Sequence, residues 1–127
     1  MNLGNNKIQS FTDLLVWQES HKLVLMIYQA TKNFPKEELF GLTSQLRRAV
    51  VSITSNIAEG FSRQGYKEKL QFYYMALGSL TESQNQLLIA KDLNYLEQIE
   101  FNKIAEQSIS VHKLLNGFVA KTKTFVK

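Results

Sequence analysis

Apolar residues recur along this chain at helical spacing, and long stretches run without a breaker. Leu42, Leu46, Val50, Ile53 and Ile57 follow one another at intervals of three or four residues, the period of one face of an α-helix. That regularity outweighs the strand tendency of the β-branched run VVSIT. Proline occurs once, at Pro35, while Gly41, Gly60 and Gly65 punctuate the middle of the chain. Helices are therefore predicted over about 12–33, 43–59, 66–92 and 97–124. Ser10 with Asp13 makes a capping pair ahead of the first, and Gly60 is expected to end the second as a left-handed terminator. Short connections place consecutive helices antiparallel. The expected fold is all-α, an up-down-up-down antiparallel four-helix bundle forming one domain over residues 1–127.

Helix 1 raises a question of its own. One seam carries Leu14, Trp17, His21, Val24, Leu25 and Tyr28, but a projection at about 100° per residue gives a second apolar stripe of Val16, Ser20, Leu23, Ile27, Ala30 and Phe34. A helix apolar on two sides is normally buried on two sides. Helix 3 repeats this more weakly through Phe72, Met75 and Ser79, and helix 2 turns the short residues Val51, Ser52, Ser55 and Ala58 away from its seam. One four-helix layer cannot cover both faces. The expectation is a homo-oligomer with Val16, Leu23, Ile27, Phe72 and Met75 in the subunit interface.

Composition narrows the chemistry. Of 127 residues, 44% are hydrophobic and 20% charged, a globular balance, and there is no cysteine. Disulfides, thiolate catalysis and cysteine-based zinc sites are excluded. No apolar run reaches the roughly 20 residues of a membrane span, and the N-terminal MNLGNNKIQS lacks a secretory pattern, so a cytoplasmic protein is expected. His21 and His112 fall on core seams, where packing is the ordinary role. No Glu-x-x-His, His-Glu-x-x-His, phosphate-cradling glycine loop or Gly-x-Ser-x-Gly occurs, so neither an enzyme nor a metal or other cofactor is expected.

The polar group Ser52, Ser55, Asn56, Glu59 and Gly60 reads as a structural turn or interface device. A carboxylate in a last helical turn meets the negative end of the helix dipole; Glu59 therefore needs a partner: Arg63 just past the turn, Arg48 of a neighbouring chain, or a loop amide nearby. Asn56 is suited to tie the following loop to the helix end. The formal net charge is +4, and Arg47, Arg48, Arg63, Lys67 and Lys69 bracket the turn between helices 2 and 3. A symmetric oligomer would repeat that basic cluster and multiply weak phosphate contacts, although Glu59 and Glu68 offset part of it. The outer face of helix 4, with Lys103, Lys113 and Lys121, and Lys123 and Lys127 nearby, reads as a solvated surface.

The ordered segments LLVWQES, NFPKEELFGLTSQLRRAVVSITSNIAEG, ALGSLTES and LLNGF resemble those of the 23S ribosomal RNA intervening-sequence proteins, also called four helix bundle proteins. The resemblance spans almost the whole chain. It implies a small bacterial four-helix bundle, a homopentamer, and contact with ribosomal RNA or other structured nucleic acid, as an accessory protein rather than an enzyme. A protein-interaction scaffold without a nucleic-acid role is the alternative. Two positions depart from the family's pattern: Thr54 stands where members often carry proline, and Gly65 where a serine or threonine often caps helix 3.

Overall fold

The computed structural model describes residues 7–127; the stretch MNLGNN, part of the segment read for a leader, lies outside them. Four helices follow in order, α1 (Leu15–Thr31), α2 (Leu42–Ser62), α3 (Tyr66–Asp92) and α4 (Gln98–Lys123), with no strand among the described residues. Single 3-10 turns at Phe11–Asp13 and Lys36–Glu38 precede α1 and α2. Each helix packs on two others, α1 on α2 and α4, and α3 on the same pair.

Contacts along the seams fix the directions. Ser52 meets Ser79 while Gly60 lies against Tyr73, so α2 and α3 run antiparallel. Lys91 sits over Phe101, Gln84 reaches Ser108, and Tyr73 packs on Phe118, which makes α3 and α4 antiparallel as well. The helices form a four-helix bundle whose core holds Leu46, Val50, Ile53 and Ile57 of α2, Leu80 and Leu87 of α3, and Ile104, Val111 and Leu115 of α4.

Helix termini follow from local chemistry. Ser10 and Asp13 do form a capping box, with Ser10 Oγ accepting from the Thr12 amide and Asp13 Oδ2 accepting from the Ser10 amide. The box caps the short 3-10 turn, and extended backbone at Leu14 separates that turn from α1. Gly41, the residue before α2, has no side chain to cap it; Glu38 takes over, its Oε1 accepting the Leu42 amide at 3.1 Å and its Oε2 the Tyr95 hydroxyl at 2.9 Å. A carboxylate there also meets the positive end of the α2 dipole. One side chain thus caps α2 and ties it to the α3–α4 connection. At the end of α3, Asn94 adopts φ 62°. The Tyr95 amide donates to Ala90 and the Asn94 amide to Lys91, a Schellman closure with asparagine in the left-handed position.

Two expectations need correction. The stripe Val16, Leu23 and Ile27 is not an outer face: these residues are 4%, 1% and 1% exposed inside a single chain, in one core with Ser20, Ala30 and Phe34. The other stripe is divided: Leu14 and Val24 join the same core, while Leu25 and Tyr28 are exposed and Trp17 and His21 half-buried. Trp17 is covered edge-on by Phe11, at 5.4 Å between ring centroids, and stacks on His21 at 4.7 Å. The amphipathic rings of Trp17, His21 and Tyr28 tolerate a half-wet position that Val16, Leu23 and Ile27 would not. Second, α2 does not stop at Gly60. It runs through to Ser62, and Gly60 is buried within it, where an added Cβ would lie 2.6 Å from Tyr73 Cε1 and 2.9 Å from Phe72 Cβ. Close approach of α3 selects glycine here.

Tyr73 is the largest fully buried side chain, and burial pushes its phenol up to about 12, with a smaller contribution from Tyr66. The folded state thus retains the proton at a pH where the unfolded chain, with an ordinary value of 10.0, has lost it. This stabilisation is complete below pH 10 and is lost as pH rises toward about 12. Phenolate absorbance during an alkaline titration is expected to show one tyrosine ionising late and together with loss of helical circular dichroism.

Candidate nucleic-acid interface

The outer side of α2 and the two ends of the bundle contain the side chains singled out for function. Along α2, Tyr28, Arg47, Arg48, Val51, Ser52, Ser55, Asn56 and Glu59 line a shallow groove of about 480 Å³. Within it, Asn56 Nδ2 donates to the Ser52 carbonyl at 2.8 Å and to Ser52 Oγ at 3.0 Å, and Ser52 Oγ accepts from Ser79 Oγ at 2.8 Å. Asn56 therefore bonds back along its own helix, not forward to the loop. Ser52 faces α3 of the same chain, where two small hydroxyls let the helices come together; Ser55 is exposed. Thr54 Oγ1 donates to the Val51 carbonyl at 3.0 Å, so the position often filled by proline in the family keeps a local backbone bond inside an uninterrupted helix.

The cation that faces Glu59 belongs to its own chain. Arg63 stands 3.8 Å from Glu59, 3.5 Å from Glu68 and 4.7 Å above the Phe72 ring. Both ion pairs are solvent-exposed and contribute at most about 1 kcal/mol each. Lys69 closes the helix end: its Nζ donates to the Phe61 carbonyl at 2.6 Å and the Gly60 carbonyl at 3.4 Å. This places a cation on the orphan carbonyls of α2. Partial burial of that ammonium lowers its pKa from the ordinary lysine value.

The five predicted phosphate contacts do not form one cluster. Arg47 and Arg48 lie sixteen and fifteen residues before Arg63, which directly follows α2, a separation of roughly 22 Å along the helix axis. Arg47 is half-buried; its Nε donates to Thr31 Oγ1 at 2.8 Å and its guanidinium lies 4.8 Å over the Tyr28 ring. Arg48 and Lys67 are exposed and make no hydrogen bond or ion pair among the described residues. Of the other positions expected at an interface, Phe72 is half-buried and Met75 is 49% exposed.

The ends of the helices add basic residues that the order of the chain keeps apart. Tyr66, the first residue of α3, stacks on Phe125 just past α4 with ring centroids 5.0 Å apart, and Lys123 Nζ lies 5.6 Å over Tyr74. Lys121 and Lys123, read from sequence as part of a separate solvated stripe, therefore stand at the end of the bundle that holds the α2–α3 turn. The signal was present in the alternating helix directions, which bring the start of α3 to the end of α4. Among the described residues no group of three or more histidine or acidic side chains could hold a metal ion, and no helix is long and apolar enough to cross a membrane.

Residues 12–117 match the protein family described as 23S rRNA-intervening sequence protein. Among solved structures, the chain is similar to a protein of unknown function from the S23 ribosomal protein family of Bacteroides thetaiotaomicron VPI-5482. That similarity has a TM-score of 0.77 at 22% identity and covers 84% of this chain and 96% of that one. At such identity it shows the fold. No curated protein matches the chain.

Proposed function

Because the chain belongs to the 23S rRNA-intervening sequence protein family, we propose that it is a non-enzymatic homo-oligomeric bundle that binds RNA or DNA, or a nucleoprotein partner, through repeated basic side chains. The observation that carries this reading is the net charge of +4, with Arg48, Arg63 and Lys67 all exposed. Copies of a weakly basic subunit arranged around an axis act together on one polyanion, so affinity multiplies without any strong single site. The outward Leu25, Tyr28, Val51 and Met75 supply apolar area for subunit contact, and the family resemblance implies five subunits.

The test is the salt dependence of binding. Anisotropy of a labelled structured RNA is expected to report affinity falling steeply with salt, with a log-log slope of several units. No binding at low salt would sink the reading. A second reading, a protein-interaction scaffold, is favoured by the engagement of Arg47, Arg63 and Lys69 inside the chain. A stable partner protein retained equally well after nuclease treatment would support it over the first.

A further inference from the structure

The charge of this chain is unevenly distributed along the bundle. At the end shared by the α2–α3 turn and the end of α4 stand Arg63, Lys67, Lys69, Lys121, Lys123 and Lys127 against Glu59 and Glu68. The segments 59–69 and 121–127 thus hold six cations against two carboxylates, and the start of α1, which also reaches this end, adds Asp13. At the opposite end, the segments 32–38 and 91–103 carry four lysines against five carboxylates. The excess is thus a pole rather than a general coat.

The pole also carries rings. Tyr66, Tyr74 and Phe125 are 44%, 45% and 48% exposed; Tyr66 precedes Lys67 and stacks on Phe125, and Lys123 lies over Tyr74. Lysines alone would suit any polyanion. Half-exposed aromatic faces interleaved with them match what an unpaired nucleic-acid strand requires: cations for the phosphates and flat apolar surfaces for bases that have no stacking partner. A duplex hides its base faces and could use only the charge.

We propose that this pole binds single-stranded nucleic acid, with Lys67, Lys121 and Lys127 on phosphates and the rings of Tyr66 and Phe125 stacking on bases. The inference rests on the nucleic-acid reading above and gives it a location and a strand state.

Anisotropy of a labelled uridine RNA of about 20 nucleotides, longer than a typical single-strand site, tests this with three variants whose folding is checked by circular dichroism. The pole variant Lys67→Glu/Lys121→Glu/Lys127→Glu is expected to weaken binding at least about tenfold at low salt and to reduce the salt slope by about 2. A matched control, Lys32→Glu/Lys36→Glu/Lys103→Glu, makes the same charge change on exposed positions elsewhere and is expected to lose less than about threefold, the residual long-range effect of net charge. The ring variant Tyr66→Ala/Phe125→Ala is expected to lose about fivefold or more with its salt slope unchanged, a combination that charge alone cannot produce.

Equal weakening by pole and control variants would overturn the location, and a ring variant that binds like the parent would overturn the stacking. Equal affinity for the same sequence as a duplex would overturn the strand preference. Pole-dependent binding to phosphatidylserine vesicles with no binding to the RNA would make the pole a membrane contact. A parent chain that binds no RNA at low salt removes the functional reading itself; a parent that binds while the pole variant binds equally well removes only this site.

Discussion

Leu23→Lys is expected to unfold the chain rather than to divide an oligomer into folded monomers. Leu23 is 1% exposed and belongs to the same core as Leu46, Val50 and Leu115. Truncating such a residue to alanine costs about 2–5 kcal/mol, and lysine adds an ammonium with no partner in an apolar surround. A domain of this kind has about 5–15 kcal/mol of stability in total. Far-UV circular dichroism should therefore show loss of helix for Leu23→Lys, whereas Leu23→Met, close in volume, should stay folded at a cost below about 1.5 kcal/mol. A folded, monomeric Leu23→Lys would place the stripe on an outer face after all.

Gly60→Ala should be destabilising although it replaces glycine inside a helix. On an exposed helix the change gains about 1 kcal/mol. Here the new methyl would meet Tyr73 Cε1 at 2.6 Å and Phe72 Cβ at 2.9 Å. The Tyr73 ring is 1% exposed and packed on Phe118, and the Phe72 atom sits next to the backbone, so neither moves aside without shifting α3. Overpacking costs about 1–3 kcal/mol, which against that gain leaves a net loss of up to about 2 kcal/mol in a urea melt. Gly60→Asn separates the alternatives: a left-handed terminator accepts asparagine nearly as well as glycine, whereas a close helix crossing makes it worse than alanine. Asparagine is expected to be the more damaging of the two.

How much of this was legible in the sequence depended on how one-sided each helix is. On α2 the residues Leu46, Val50, Ile53 and Ile57 predicted the buried face correctly, because charged and hydroxyl side chains fill the opposite side. On α1 the period could not choose. Val16, Leu23 and Ile27 lie on one stripe, Trp17, Val24 and Leu25 on another, and a helical projection reports that two apolar stripes exist without saying which one the neighbouring helices cover. Only the packed bundle distinguishes the aliphatic stripe from the one that ends in exposed Leu25 and Tyr28.

Helix boundaries were read closely where a chemical signal stands at the end, as at Tyr66 and Asp92. The sequence misleads at Gly60, where glycine reflects the close approach of Phe72 and Tyr73, twelve and thirteen residues on, rather than local backbone freedom. Arg47 and Arg48 were grouped with Arg63 because they are close in sequence to one turn. Along an α-helix that separation is a distance, and it sets the groove and the basic pole apart. Lys69 was counted as a phosphate contact although its ammonium caps α2, a bond between residues eight apart that no periodicity shows.

Multi-angle light scattering of the purified chain mixed with RNA, at low and then at high salt, tests most directly the proposal that this bundle assembles with itself and holds RNA through its basic side chains. The predicted result is a particle several times the 14.6 kDa chain mass that co-elutes with RNA at low salt and releases it at high salt while keeping its protein mass. A 14.6 kDa particle free of RNA at low salt would contradict it.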